Sequence, residues 1–337
     1  MLADVVLAFL WTGITAYVLL GGADFGAGFW DLFAGSAERG AAQRARIEHS
    51  IGPVWEANHV WLIFALVVVW TGFPGVFAAV ASTLYIPLTV VALGVILRGS
   101  AFAFRKAVSE LALQRVFGGA FALSSVVTPY FLGTVAGAIA SGRVPLGNAQ
   151  GNVISSWLNP TSVLGGTLAV EVCAYLAAVY LTADSRRDGE LALAEAFRSR
   201  ALAMGVVCGV TALAGIAVLH GDAPRLFSAL TARGLPLLIA TATFGVVSLA
   251  LLTARRYVAV RITAALAVTA VLWGWAVGQY PDVLVGAATV QDAAAPDATL
   301  VALVVTLAIG SAFLVPALLL LYRLSQAETP PQSRGSA

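Results

Sequence analysis

Residues 51–61 read IGPVWEANHVW, and an apolar run follows them as far as Trp70. The stretch places a carboxylate (Glu56), an amide (Asn58) and an imidazole (His59) in the first turns of a segment that otherwise suits a lipid bilayer. A charged side chain at the centre of a membrane helix costs about 2.5–3.5 kcal/mol on insertion scales. Charged residues that are so costly in a membrane helix usually serve a function. The stretch therefore indicates both a membrane fold and a candidate site.

A second acid lies in the preceding apolar segment, where residues 19–32 read LLGGADFGAGFWDL. Asp24 and Glu56 are at comparable distances from the middle of the connection between the two segments, so we expect them at similar depths in the cytoplasmic half of the membrane. Gly22 and Gly26 are four residues apart and offer a small face that another helix can approach closely. We therefore expect the two acids to lie near enough to share a proton or a water molecule.

Composition predicts the fold class. Of the 337 residues, 60% are hydrophobic and 11% are charged, against about 25% charged in soluble domains, and the mean hydropathy is +0.90. We predict an all-α, polytopic membrane protein in which residues 1–325 form a single integral membrane domain and the polar tail 326–337 is disordered. The nine apolar segments span residues 5–34, 52–72, 75–97, 116–140, 162–183, 201–220, 235–253, 259–279 and 299–322.

The distribution of basic residues predicts the orientation. Sixteen of the 19 Lys and Arg residues fall in alternate connections or in the tail, and the other side holds Arg143, Arg225 and Arg233. By the positive-inside rule, the sixteen face the cytoplasm, the N-terminus lies outside and the number of spans is odd. The basic residues, among them Arg98 and Arg105 in the third connection, are scattered through short loops, so we expect no nucleic-acid partner.

Each of the three candidate proton-pathway residues in the first two segments has an alternative interpretation. Asp24 fits a cap or a hydrogen bond between helices as well as proton transfer. Glu56 fits the first turn of a helix, where the helix dipole favours negative charge. His59 shares a helix face with Glu56, because the two are three residues apart, but a histidine there is often a packing residue.

Three more polar residues are accessory candidates. Asn58 fits a hydrogen bond that joins two helices better than it fits a ligand role. Glu171 lies near the middle of the fifth apolar segment and is either a structural partner or part of a proton relay. Asp292, in an acidic loop, fits a loop cap better than a site.

The inventory of metal ligands is poor. The chain has three histidines (His49, His59 and His220) and two methionines, and its cysteines and histidines show no zinc-site spacing. A haem iron needs at least one strong axial ligand. We expect this chain to bind no metal or cofactor and to be no catalyst by itself, since phosphate-loop and nucleophile-elbow motifs are also lacking.

The first two polar segments carry a resemblance to a known family. The sequences GGADFGAGF at 21–29 and GPVWEANHVWLIF at 52–64 resemble subunit II of the cytochrome bd-type terminal quinol oxidases of bacteria. Residues 98–105, Leu158-Asn159-Pro160, Tyr280-Pro281 and Asp292 also resemble positions of that family, and the resemblance covers essentially all of residues 1–325.

The resemblance implies a heterodimer in the bacterial plasma membrane. Subunit I would carry the haems, haem b with or without haem d, and the complex would oxidise quinol, reduce oxygen to water and take its protons from the cytoplasm. Each subunit would have nine spans, arranged as two four-helix bundles and one peripheral helix. Small accessory membrane subunits, lipid and quinone are further expected partners.

The resemblance also implies roles for single residues. Glu56 matches the acid that follows the tryptophan of the second-helix motif, and Asp24 matches the acid of the first. Where some members have a second acid before it, this chain has Gly21 and Gly22. We predict a proton pathway through Glu56, Asp24 and His59; the alternatives are an ion-coupled secondary transporter and a purely structural subunit.

Overall fold

The computed structural model describes residues 1–36, 38–52, 54–108 and 110–327, which are almost entirely helical. The helices are α1 (Leu2–Leu32), α2 (Ala41–Ile51), α3 (Trp55–Gly72), α4 (Pro74–Thr83), α5 (Tyr85–Ala107), α6 (Leu111–Ala140), α7 (Pro160–Arg187), α8 (Leu191–Asp222), α9 (Pro224–Ala232), α10 (Leu235–Thr253), α11 (Tyr257–Gln279) and α12 (Asp297–Ala327). Two short strands, β1 (Asp282–Leu284) and β2 (Ala288–Thr289), pair antiparallel before α12.

Within these residues, eight helices are long and apolar enough to cross a membrane: α1, α5, α6, α7, α8, α10, α11 and α12. A ninth span results if α2 and α3, which meet at an angle of 55°, are counted as one broken span. The prediction of an all-α polytopic membrane protein is therefore confirmed, and the count of nine spans stays a prediction.

The long helices fall into two groups. Helices α7, α8, α10 and α11 close a ring in which each packs against the next. Helices α1, α3, α5 and α6 form the second group, with α1 and α6 also packing on α7, and α12 lies at the edge against α1 and α3. This arrangement places the two polar segments, α1 and α3, side by side.

Close packing between the groups depends on a glycine in α1. A Cβ atom added to Gly26 would come within 1.8 Å of the carbonyl oxygen of Cys173 in α7, so only glycine permits this contact. A Cβ on Gly22 would lie 3.4 Å from the Cys173 sulfur. The close approach expected at Gly22 and Gly26 is thus made with α7, and not with the helix that carries Glu56.

The predicted third segment, residues 75–97, consists of two helices. The chain breaks at Leu84 because Pro87, lacking an N–H and crowding the preceding turn, fits only near the start of a helix. The span proper, Tyr85–Arg105, therefore begins and ends later than predicted. Its later end brings Arg98 into the helix, and the prediction that Arg98 lies in a connection is wrong.

The end of the chain also differs from expectation. The tail predicted to be disordered begins at residue 326, but α12 continues through Gln326 to Ala327. Residues 328–337, the rest of that predicted tail, lie outside the described residues.

Candidate functional site

Asp24 is enclosed inside the protein although it carries an ionisable carboxyl group. It is 3% exposed and lies on α1 eight residues before the end of that helix, or about 12 Å along its axis. Its Oδ2 accepts a hydrogen bond of 2.7 Å from Nδ2 of Asn58 on α3. Because a buried carboxylate is costly without partners, this bond both satisfies Asp24 and ties α3 to α1.

Three contacts fix the orientation of the Asn58 amide. Besides Asp24, its Nδ2 faces the backbone carbonyl of Leu20 at 3.4 Å. A carbonyl and a carboxylate only accept hydrogen bonds, so the NH2 group must point toward both of them. The opposite face, Oδ1, then accepts a hydrogen bond from the hydroxyl of Tyr322 on α12.

Arg98 brings a permanent positive charge into the same region. It is 1% exposed, its Nε lies 3.1 Å from the Ser125 hydroxyl, and its guanidinium carbon lies 4.7 Å from the ring centre of Phe25 and 5.1 Å from that of Phe121. Ring faces and hydroxyls stabilise a buried guanidinium. Arg98 is near Asp24 in the structure because its guanidinium packs on Phe25, the residue that follows Asp24 in α1.

His59 is half-buried beside Arg98. Its Nε2 lies 3.3 Å from Nη1 of Arg98, and the rings of Tyr17, Phe25 and Trp55 surround it at centroid distances of 6.0, 5.7 and 6.1 Å. Arginine has only donors, so Nε2 of His59 must be the acceptor and the ring proton belongs on Nδ1. The imidazole therefore lies at the edge of the polar group as a neutral acceptor.

These side chains form one site between α1, α3, α5, α6 and α12. Some of its buried polar atoms, including Nη2 of Arg98 and Nδ1 of His59, have no hydrogen-bond partner among the described residues. The site therefore has hydrogen-bonding capacity beyond its protein partners. We call it the Asp24 site; its members are Asp24, Asn58, His59, Arg98, Ser125 and Tyr322.

Glu56 lies on the same turn of α3 but is exposed. It is two residues before Asn58, so the two side chains point to opposite sides of the helix. It is three residues before His59, and these two share a face. Exposure thus falls from Glu56 through half-buried His59 to buried Arg98, and Glu56 is separate from Asp24, contrary to the expected pairing of the two acids.

An ion-paired acid lies between Asp24 and the end of α1. Asp31 is 5% exposed; its Oδ1 lies 3.0 Å from Nε of Arg44 on α2, and its Oδ2 lies 2.7 Å from Nη1 of Arg105 on α5. This triad fastens α2 and α5 to α1 near the Asp24 site.

The two other acids predicted as accessory residues lie elsewhere. Glu171 on α7 is half-buried and accepts a hydrogen bond of 2.9 Å from the Thr211 hydroxyl on α8, which places it in the other helix group. Asp292 follows β2, is exposed and accepts a hydrogen bond of 2.6 Å from the Thr289 hydroxyl. Neither belongs to the Asp24 site.

Sequence reasoning missed three members of the site. Arg98 could have been found, since apolar and small residues continue after it to Phe104 and a span starting at Tyr85 needs that length. Ser125 and Tyr322 gave no signal, because single hydroxyls in apolar helices are common and their contacts join distant parts of the chain.

The three histidines lie apart and have different surroundings. His59 directs Nε2 at a cationic arginine among packed rings, and the ring of His220 packs against Phe227 at 4.9 Å. His49 lies exposed on α2. Across the described ranges, no three His, Cys, Asp or Glu side chains are grouped closely enough to hold a metal ion.

Known proteins with similar sequences share one family. The family model for cytochrome bd terminal oxidase subunit II matches residues 2–325. The cytochrome bd ubiquinol oxidase subunit 2 of Bacillus subtilis (strain 168) is 31% identical over 181 residues, which cover 51% of this chain and 52% of that protein. The cytochrome bd-I ubiquinol oxidase subunit 2 of Escherichia coli (strain K12) is 31% identical over 232 residues, covering 64% and 58%.

The aligned parts thus span a little over half the length of these relatives. The fold is similar to a solved structure of bd oxidase from Geobacillus thermodenitrificans, with a TM-score of 0.75 over 96% of this chain and 98% of that chain at 24% identity. Because the family model covers nearly the whole sequence, the chain belongs to the cytochrome bd terminal oxidase subunit II family.

Proposed function

We propose that the chain is the non-haem subunit of a bacterial plasma-membrane quinol:oxygen oxidoreductase. Its partner would be a haem-bearing subunit I, and its N-terminus would lie outside and its last helix would end in the cytoplasm. Family membership supports this proposal over an ion-coupled transporter. The haems, haem b with or without haem d, are assigned to the partner because this chain has only three histidines and two methionines from which axial ligands could come.

The chain would also help protons to enter from the cytoplasm. The observation that carries this part is the enclosed Asp24 carboxylate, held by Asn58 in a site that also contains the buried Arg98 guanidinium. Stability alone does not call for such a group, because apolar replacement of buried charges is often neutral or stabilising. Glu56 and His59, on one face of α3 with different exposures, supply a route between the buried site and the exposed face of that helix.

The position of Glu56 supports a partner on the exposed face of α3. Val60, Ile63, Val67 and Trp70 follow Glu56 at intervals of four and three residues, and all four are exposed. Lipid could cover the apolar stripe but would leave the carboxylate at its head unpaired at a depth close to that of Asp24. A second protein chain could cover the apolar stripe and pair its polar groups with the Glu56 carboxylate. That chain would receive the proton from Glu56.

The test is Glu56→Gln in the assembled oxidase, with oxygen consumption measured per haem. We expect turnover to fall about tenfold or more at normal haem content, because glutamine keeps the shape but carries no proton. Glu38→Gln, at an exposed acid outside the long helices, is the matched control and should leave turnover unchanged. Unchanged turnover in Glu56→Gln would show that Glu56 carries no proton and has at most a structural role.

Purification distinguishes an oxidase subunit from an ion-coupled transporter. Co-elution of this chain with a haem-bearing membrane protein is the expected result. A chain that purifies alone, without haem, and moves a solute across vesicles would overturn the oxidase proposal.

A further inference from the structure

Helix α12 contributes a polar group to a site that other helices build. It packs at the edge of the protein against α1 and α3, and much of its surface is exposed. Near its end, the half-buried Tyr322 donates its hydroxyl proton to Oδ1 of Asn58, 264 positions earlier in the sequence. The phenol thus reaches the one face of the amide that Asp24 and Leu20 leave open.

The terminal torsion of asparagine is soft, so its neighbours set the orientation of the amide. With the hydroxyl in place, the Asn58 amide is held on both sides: Nδ2 by Asp24 and Leu20, and Oδ1 by Tyr322. Without the hydroxyl, a buried Oδ1 would lose its donor. The amide could then turn and present an oxygen to the carboxylate, which repels it.

We propose that Tyr322 is a positioning residue for proton transfer. Its hydroxyl orients Asn58, and Asn58 in turn holds the Asp24 carboxylate in the position from which it takes up and releases a proton. The inference rests on the proposed function of the Asp24 site and deepens it. It gives a role in proton transfer to Tyr322 on α12, a helix at the edge of the protein.

The experiment uses Tyr322→Phe in the intact oxidase, a change that removes one oxygen atom. Loss of one hydrogen bond predicts that kcat per haem falls about threefold to tenfold. The quinol KM should stay unchanged, and the solvent deuterium isotope effect on turnover should rise as proton transfer becomes limiting. Tyr85→Phe, at an exposed tyrosine at the start of α5, is the matched control.

A double-mutant cycle separates positioning from mere packing. Asn58→Leu removes the group through which Tyr322 is proposed to act, so adding Tyr322→Phe to it should lower kcat no further. Equal fractional losses in both backgrounds would overturn the inference. Normal kcat per haem in Tyr322→Phe would also overturn it, even if that variant assembled in lower yield.

The result for Asp24→Asn distinguishes the inference from the function on which it rests. Normal turnover in Asp24→Asn would remove the proton role of the Asp24 site altogether. Impaired turnover in Asp24→Asn together with normal turnover in Tyr322→Phe would remove only the role of Tyr322.

Discussion

Asp24 and Glu171 are both acids within long apolar helices, yet their surroundings differ. Asp24 is 3% exposed, accepts a hydrogen bond from Asn58 and is followed by Phe25, on whose ring the buried Arg98 packs. Glu171 is half-buried and is bonded by one hydroxyl, that of Thr211, while its Oε2 has no partner among the described residues. An acid in an apolar segment is therefore an ambiguous signal, and the partners supplied by other helices distinguish a constructed site from a tolerated residue.

The largest effect is expected when the positively charged side chain of Arg98 is removed from the Asp24 site. We expect Arg98→Leu to destabilise the protein by about 1–3 kcal/mol, because it removes the side chain that bonds Ser125 and His59 and leaves buried polar atoms without a partner. Haem content and thermal unfolding of the purified complex measure the effect. Arg115→Leu, at an exposed arginine on α6, should show little change. If both variants were equally stable, the contacts of Arg98 would not hold the Asp24 site together.

The two acids can be compared directly through isosteric amides. We expect Asp24→Asn to lower turnover per haem about tenfold or more, because its amide keeps an acceptor oxygen for Asn58 but cannot take up and release a proton. Glu171→Gln, in the other helix group, should lower turnover less than twofold. Oxygen consumption at saturating quinol measures both, and equal losses would remove the distinction between the two sites.

The smallest expected effect concerns the bond between α7 and α8. Thr211→Val keeps the shape of the side chain but removes the donor to Glu171. Hydrogen bonds between membrane helices average about 0.6 kcal/mol, so stability should fall by that amount and turnover should not change. The midpoint of unfolding in detergent is the measurement; a large loss of turnover would make Glu171 part of the function.

Much of the fold follows from the sequence, since long apolar stretches and the exclusion of charge from lipid determine where helices form. The α4–α5 break was missed because both helices are apolar, so hydropathy did not mark the boundary at Leu84. The same error put Arg98 in a loop. Sequence patterns cannot report that aromatic rings and a serine from other helices will enclose a guanidinium.

The site was predicted in part for a related reason. Asp24, Asn58 and His59 were selected because polar residues in lipid are costly, and they do lie together. Glu56 was expected to lie near Asp24 because both occupy similar depths. Depth, however, does not specify the side of a helix, and the two-residue spacing between Glu56 and Asn58 turns their side chains apart.

The contact between Tyr322 and Asn58 has a consequence for biogenesis. The ribosome delivers α1 and α3 to the membrane long before α12, so Asn58 must wait without its phenol donor while all the intervening helices are inserted. The Asp24 site is then completed only when α12, the last of the described helices, is inserted. The orientation of the Asn58 amide therefore depends on a segment that is translated after the other described helices.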